Sequence, residues 1–142
     1  MPLRSHRPPS SHPRAVERPL SRCFAPMTRY VPTHAQQWQP IDVRGIAMQA
    51  CRLWEGDHNV ESGLYRLPQG LTIPRHHHPY WCQVFVVSGE MRVQAEGHEA
   101  HCIDAGGYYF VEPGDTHTET AVVDTLLLVT CEEDRPDLRR QP

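Results

Sequence analysis

Apolar and polar positions along the chain change places over short stretches, and the spacing is not helical. Windows 41–48, 50–54, 64–67, 82–87, 91–95, 98–103, 108–111, 117–123 and 125–130 are rich in β-branched or aromatic residues, a composition that suits a pleated, half-buried surface. Many are separated by turn formers: Gly56-Asp57, Pro68-Gln69-Gly70, Ser88-Gly89, Gly97, Gly106-Gly107 and Pro113-Gly114-Asp115. No run of helical period exceeds two turns before the polar stretch 131–142. Many short strands at near-regular spacing predict an all-β domain, closed as a barrel or sandwich so that few edges stay free.

The first thirty residues break this pattern. They hold Arg4, Arg7, Arg14, Arg18, Arg22 and Arg29 against the single acid Glu17, within a dense scatter of Pro and Ser. Few of them suit a core, so the expectation is a disordered tail over 1–40, a folded domain over 41–136 and a polar end over 137–142. An Arg- and Ser-rich, acid-poor leader also fits an organelle transit peptide, but Pro8, Pro9, Pro13 and Pro19 interrupt the amphipathic helix this needs. A third reading is an overextended start, with Met27 opening the protein proper. The dispensable tail is favoured over a targeting signal.

A chain of 142 residues is long enough for one ordinary domain. A formal net charge of −3 gives no electrostatic ground for a nucleic-acid partner. No apolar run approaches the roughly 20 residues of a membrane helix. The sequence therefore predicts a soluble, cytoplasmic protein without nucleic-acid or membrane partners. All fourteen basic residues are Arg, which excludes Schiff-base and P-loop lysine chemistry. Cys23, Cys51, Cys82, Cys102 and Cys131 are odd in number and form no C-x-x-C pair; they read as reduced thiols, mostly buried.

Candidate chemistry centres on histidine. In Arg75-His76-His77-His78-Pro79, strand alternation puts His76 and His78 on one face and His77 on the other. Two imidazoles so placed can share an ion. Downstream, the segment from Gly106 to His117 reads as a strand, a tight turn and a His opening the next strand.

Together these stretches resemble the two motifs of the cupin superfamily. The first is Gly, five residues, His-x-His, a Glu three or four residues on and a closing Gly; here Gly70, His76, His78 and Gly89 match. The second is Gly, five residues, Pro-x-Gly, two residues, His; here Gly106, Gly114 and His117 match, with Glu112 at the Pro position and Pro113 after it. The resemblance implies a single cupin barrel (a double-stranded β-helix, or jelly roll) holding one divalent metal on His76, His78 and His117. Imidazole ligands alone do not select the ion.

The family's Glu is missing. Cys82 stands in its register, four residues after His78 and seven before Gly89, and Gln83 follows facing the other way. Cys82, Gln83 or neither is the fourth ligand, with Cys82 favoured. A thiolate favours zinc or a thiolate-bound iron, whereas a neutral three-His site keeps the full charge of the ion and leaves positions for substrate. Glu119 shares a strand face with His117 and Ala121, which makes it the candidate catalytic residue, as a base or as the partner that orients a ligand His. A solvated rim carboxylate fits the same pattern. Tyr80, Trp81, Tyr108 and Phe110 either wall a pocket or serve the core or a dimer face.

Similarity to the three-His iron cupin dioxygenases implies a metal-dependent oxidoreductase. It would be an Fe(II) dioxygenase acting, as a homodimer, on a small enolisable or thiol substrate. Two alternatives stay open: a non-redox zinc or manganese lyase, isomerase or cyclase, and a metal- or redox-sensing binding module similar to the zinc cupin halves of anti-sigma factors. The proline-rich tail disfavours the last, because those modules carry a helical sigma-binding segment.

Overall fold

The computed structural model describes residues 28–132. The disorder, transit-peptide and late-start readings of the leader bear mainly on residues outside that range, as does the polar end 137–142. The chain divides into a unit Met1–Tyr30 and a unit Val31–Pro142, and the following concerns the second.

Ten strands make up more than half of the described residues: β1 Gln39–Val43, β2 Ile46–Glu55, β3 Val60–Leu67, β4 Thr72–His76, β5 Cys82–Ser88, β6 Glu90–Ala95, β7 His101–Asp104, β8 Tyr108–Val111, β9 His117–Ala121 and β10 Thr125–Glu132. They form two antiparallel sheets, one in the order β1-β2-β3-β10-β5-β8 and the other β4-β9-β6-β7. This is the jelly-roll arrangement expected. No helix among the described residues is long and apolar enough to cross a membrane.

Each sheet turns alternate residues inward. Along β5, Cys82, Val84 and Val86 are buried while Phe85 and Val87 are 40% and 42% exposed. These buried residues join Met48, Leu67, Val111 and Leu127 from their own sheet and Ile73, Met91 and Ala121 from the other in one core. Ordered structure also precedes residue 41. A 3₁₀ turn spans Thr33–Ala35, and the Arg66 guanidinium lies 3.7 Å from the centroid of the Trp38 ring, a cation–π contact.

One expected strand proves to be two. The window 41–48 is a hairpin, with Arg44 (φ 55°) and Gly45 (φ 82°) at its tip. Two consecutive left-handed residues suit the twist of the flanking strands, and Asp42 Oδ1 accepts the Gly45 N–H at 2.8 Å. Arg is an unusual residue for that first position, so residue type carried no turn signal. At the β5–β6 turn the family's closing Gly has a steric reason. Gly89 has φ +87°, and a Cβ there would lie 2.5 Å from the Asp124 carbonyl oxygen and 2.7 Å from Thr125 Cα. Only Gly lets this turn press against the start of β10.

Candidate metal centre

His76 ends β4 and His117 opens β9, and the two are register partners across that pair of strands. The ladder is irregular between Ile73 and His76. His77 and His78 lie beyond the strand end, with His77 exposed and His78 half-buried. Two bonds hold their loop: the Gly114 N–H donates to the His78 carbonyl at 2.8 Å, and Arg44 Nη2 donates to the His77 carbonyl at 2.9 Å. The first ties the His-x-His segment to the Pro-Gly turn that precedes His117. Residues about 40 apart thereby meet.

One ligand nitrogen from each of His76, His78 and His117 lies within 4.8 Å of the other two. His76 Nδ1 is 2.7 Å from the Pro74 carbonyl, and His117 Nδ1 is 3.2 Å from the Asp115 carbonyl. A carbonyl only accepts, so each Nδ1 carries the proton and directs the Nε2 lone pair toward the cluster. His76 Nε2 and His78 Nε2 are 3.2 Å apart.

His117 Nε2 is the one buried side-chain nitrogen or oxygen, among the described residues, with no hydrogen-bond partner. Such an orphan costs about 1–3 kcal/mol, and an ion shared by the three rings would remove that cost. The donor set fits a divalent metal.

Electrostatics favours the same reading. Burial, then the neighbouring histidines, pushes His78 down to about 4. Burial likewise holds His76 below its ordinary value, against the pull of its bond to Pro74. Both rings are therefore neutral near pH 7 and able to donate a lone pair. Burial also lowers His117, but the adjacent Glu119 carboxylate outweighs it and the net shift is upward. Glu119 is itself buried, which raises its carboxyl; His117 and Tyr109 overcome this and hold it ionised.

Glu119 looks inward from β9, its Oε2 lying 3.6 Å from His117 Nε2 and 3.7 Å from His76 Nε2. These separations exceed a hydrogen bond, so the coupling is through charge. The Tyr109 hydroxyl donates to Oε1 at 2.5 Å, and burial together with that carboxylate keeps the phenol well above its usual value.

Cys82 is buried, lines the same cavity as His76 and His78, and sits opposite Cys131 on β10. The mutually close ligand atoms are those of the three histidines. Gln83 is half-buried on the opposite face of β5 and does not line the cavity.

Of the alternatives left open for the four aromatics, lining the cavity is the one that the structure does not support. Tyr108 and Phe110 are 53% and 41% exposed, Trp81 stacks on Phe110, and none of these, nor Tyr80, lines the cavity. The inward aromatics are Tyr65 and Tyr109. Parity with the buried Val111 was the signal for Tyr109, and the sequence reading did not use it.

The cluster borders a partly open cavity of about 130 Å³, walled chiefly by Met48, Tyr65, Leu67, Val84, Leu127 and Val129. A larger hollow of about 610 Å³, lined by residues such as Pro40, Gln49, Arg66 and Leu126, gathers no comparable set of donors.

Solved structures share the fold. KdgF from Halomonas sp. matches with a TM-score of 0.65 at 18% identity, over 79% of this chain and 99% of that one. An RmlC-like cupin from Shewanella frigidimarina gives 0.64 at 20% identity, over 79% and 96%. The DMSP lyase DddQ from Ruegeria pomeroyi gives 0.59 at 22% identity, over 72% and 59%. No curated protein matches the sequence. A family profile described as the ChrR Cupin-like domain matches residues 27–134, a span holding both histidine motifs and every strand among the described residues, and the chain belongs to that family.

Proposed function

We propose that this protein is a metal-dependent oxidoreductase, an Fe(II) dioxygenase whose small substrate binds as an enolate or thiolate. The observation that carries the reading is the convergence of three imidazoles on a small apolar cavity. When bound, the iron would offer coordination positions to an anionic substrate atom and to O₂ and relay electrons from that substrate, the net reductant, to O₂.

The chain's own contribution is positional. His76, His78 and His117 would hold the ion, with the tautomers of His76 and His117 set by the Pro74 and Asp115 carbonyls. Met48, Leu67, Val84 and Leu127 give the space beside it an apolar wall. An engineered cavity of about 150 Å³ takes benzene, so a site of about 130 Å³ suits a substrate of similar or smaller size.

A second reading has its own support. The buried Tyr109–Glu119 pair resembles the acid–base equipment of a non-redox reaction, and one fold neighbour, DddQ, is a DMSP lyase. Zinc or manganese would then act as a Lewis acid. Protein purified without oxygen should contain iron, and should consume O₂ with a β-diketone, a hydroxyketone or a small thiol. Zinc loading should abolish that uptake. Full turnover under strict anoxia would reject the dioxygenase and favour the lyase, isomerase or cyclase reading.

A further inference from the structure

We propose that Glu119 is itself a metal ligand, its Oε2 completing a set of three imidazoles and one carboxylate. It replaces the carboxylate that the cupin motif carries where this chain has Cys82. The inference rests on the metal reading above and adds to it the identity of the fourth donor.

Three observations converge on it. First, Oε2 lies 3.7 Å from His76 Nε2 and 3.6 Å from His117 Nε2, too far for hydrogen bonds; it stands beside these two rings and outside the mutually close set that includes His78. Donors about 2.0–2.1 Å from one ion stand roughly 2.9–3.4 Å apart, depending on coordination number. The spacing is thus slightly wider than that of neighbouring ligands, and an ion would draw the donors together. Second, His117 Nε2, one of those neighbours, is the orphaned buried atom; an ion satisfies it where the carboxylate at this distance does not.

Third, the carboxylate is pinned. Glu119 is 7% exposed, and the Tyr109 hydroxyl holds Oε1, which leaves Oε2 as the oxygen facing the two ring nitrogens. A buried carboxylate is costly unless it is paired or coordinates a metal. Glu119 sits two residues after His117 on β9, opposite Ile73 on β4 and Val93 on β6, so the central strand of the small sheet delivers both donors. The motif's missing charge returns from another strand.

Two consequences follow. A carboxylate ligand leaves a divalent ion with net charge +1, and four protein donors leave two of six positions on an octahedral ion. Glu119 then acts as a ligand and is no longer available as a base. Tyr109 becomes a positioning residue, selecting the oxygen that binds.

The test counts water on Mn(II) bound to the full chain, by water-proton relaxation, alongside chelator-competition affinities. Wild type should carry two exchangeable waters, Glu119→Gln three with at least tenfold weaker binding, and Cys82→Ser two. Three waters on wild type would overturn the proposal, as would an unchanged count in Glu119→Gln. A third water gained in Cys82→Ser would assign the fourth donor to the thiol and equally overturn it. If Glu119→Gln does not fold, the wild-type and Cys82→Ser counts still decide. His76→Ala guards the premise: unchanged Mn(II) affinity there would refute the metal site itself, a result distinct from failure of Glu119 alone.

Discussion

Tyr109→Phe isolates a single buried interaction. Phenylalanine fills the space of tyrosine less one oxygen, so no cavity opens, and the change deletes the hydroxyl that donates to Glu119 Oε1 at 2.5 Å. A hydrogen bond to a charged group contributes about 1.5–3 kcal/mol, and its loss leaves a buried anion short of a partner. For an ordered body of about 100 residues each kcal/mol moves the melting temperature by roughly 4 °C. The metal-free variant should therefore melt about 6–12 °C lower at pH 7.

The effect should depend on pH with a definite sign. The Glu119 pKa is lowered in the folded state, so its contribution is present above its unfolded value and disappears as pH falls through the folded one. Once the carboxyl is protonated, only a neutral hydrogen bond, about 0.5–1.5 kcal/mol, separates the two proteins. Thermal melts of both proteins without metal, from pH 7 down to the lowest pH at which both stay folded, test this. A difference under 2 °C at pH 7, or one that fails to narrow once the carboxyl titrates, would refute the reasoning.

Three further outcomes follow from the same geometry. His78→Ala should cut zinc affinity by at least a hundredfold in chelator competition while His77→Ala stays within threefold, because the His77 ring is exposed; equal losses would contradict the loop geometry. Metal affinity should fall as pH drops, because the Glu119 carboxylate raises the His117 pKa and that ring must give up its proton to bind the ion; an affinity that is flat from pH 8 to 5.5 would count against it. Gly89→Ala should cost at least about 2 kcal/mol in urea unfolding, since its Cβ meets backbone atoms at 2.5 and 2.7 Å and φ is positive; a change under 0.5 kcal/mol would mean that the β5–β6 turn moves freely.

The sequence by itself determined much of this protein. Alternation along 82–87 and 117–121 is a local property, so it assigned inward and outward faces correctly: Cys82, Val84 and Val86 inside, and His117, Glu119 and Ala121 on one buried face. The resemblance to the two cupin motifs named the three histidines, because the spacing that carries it is written in the chain itself.

Other features were decided only in three dimensions. The hairpin at Arg44-Gly45 depends on strand pairing across Val43 and Ile46, which outweighs the weak turn preference of Arg. His78 lies past the end of β4, and a bond from the turn before His117 holds its loop; His76 and His78 still converge while His77 is exposed, as alternation predicted, but the loop bond rather than the strand ladder fixes His78. The Tyr109–Glu119 contact joins β8 of one sheet to β9 of the other. Residue type and period say which way a side chain faces on its own strand, but which side chain it meets across the barrel is set by how the two sheets stack.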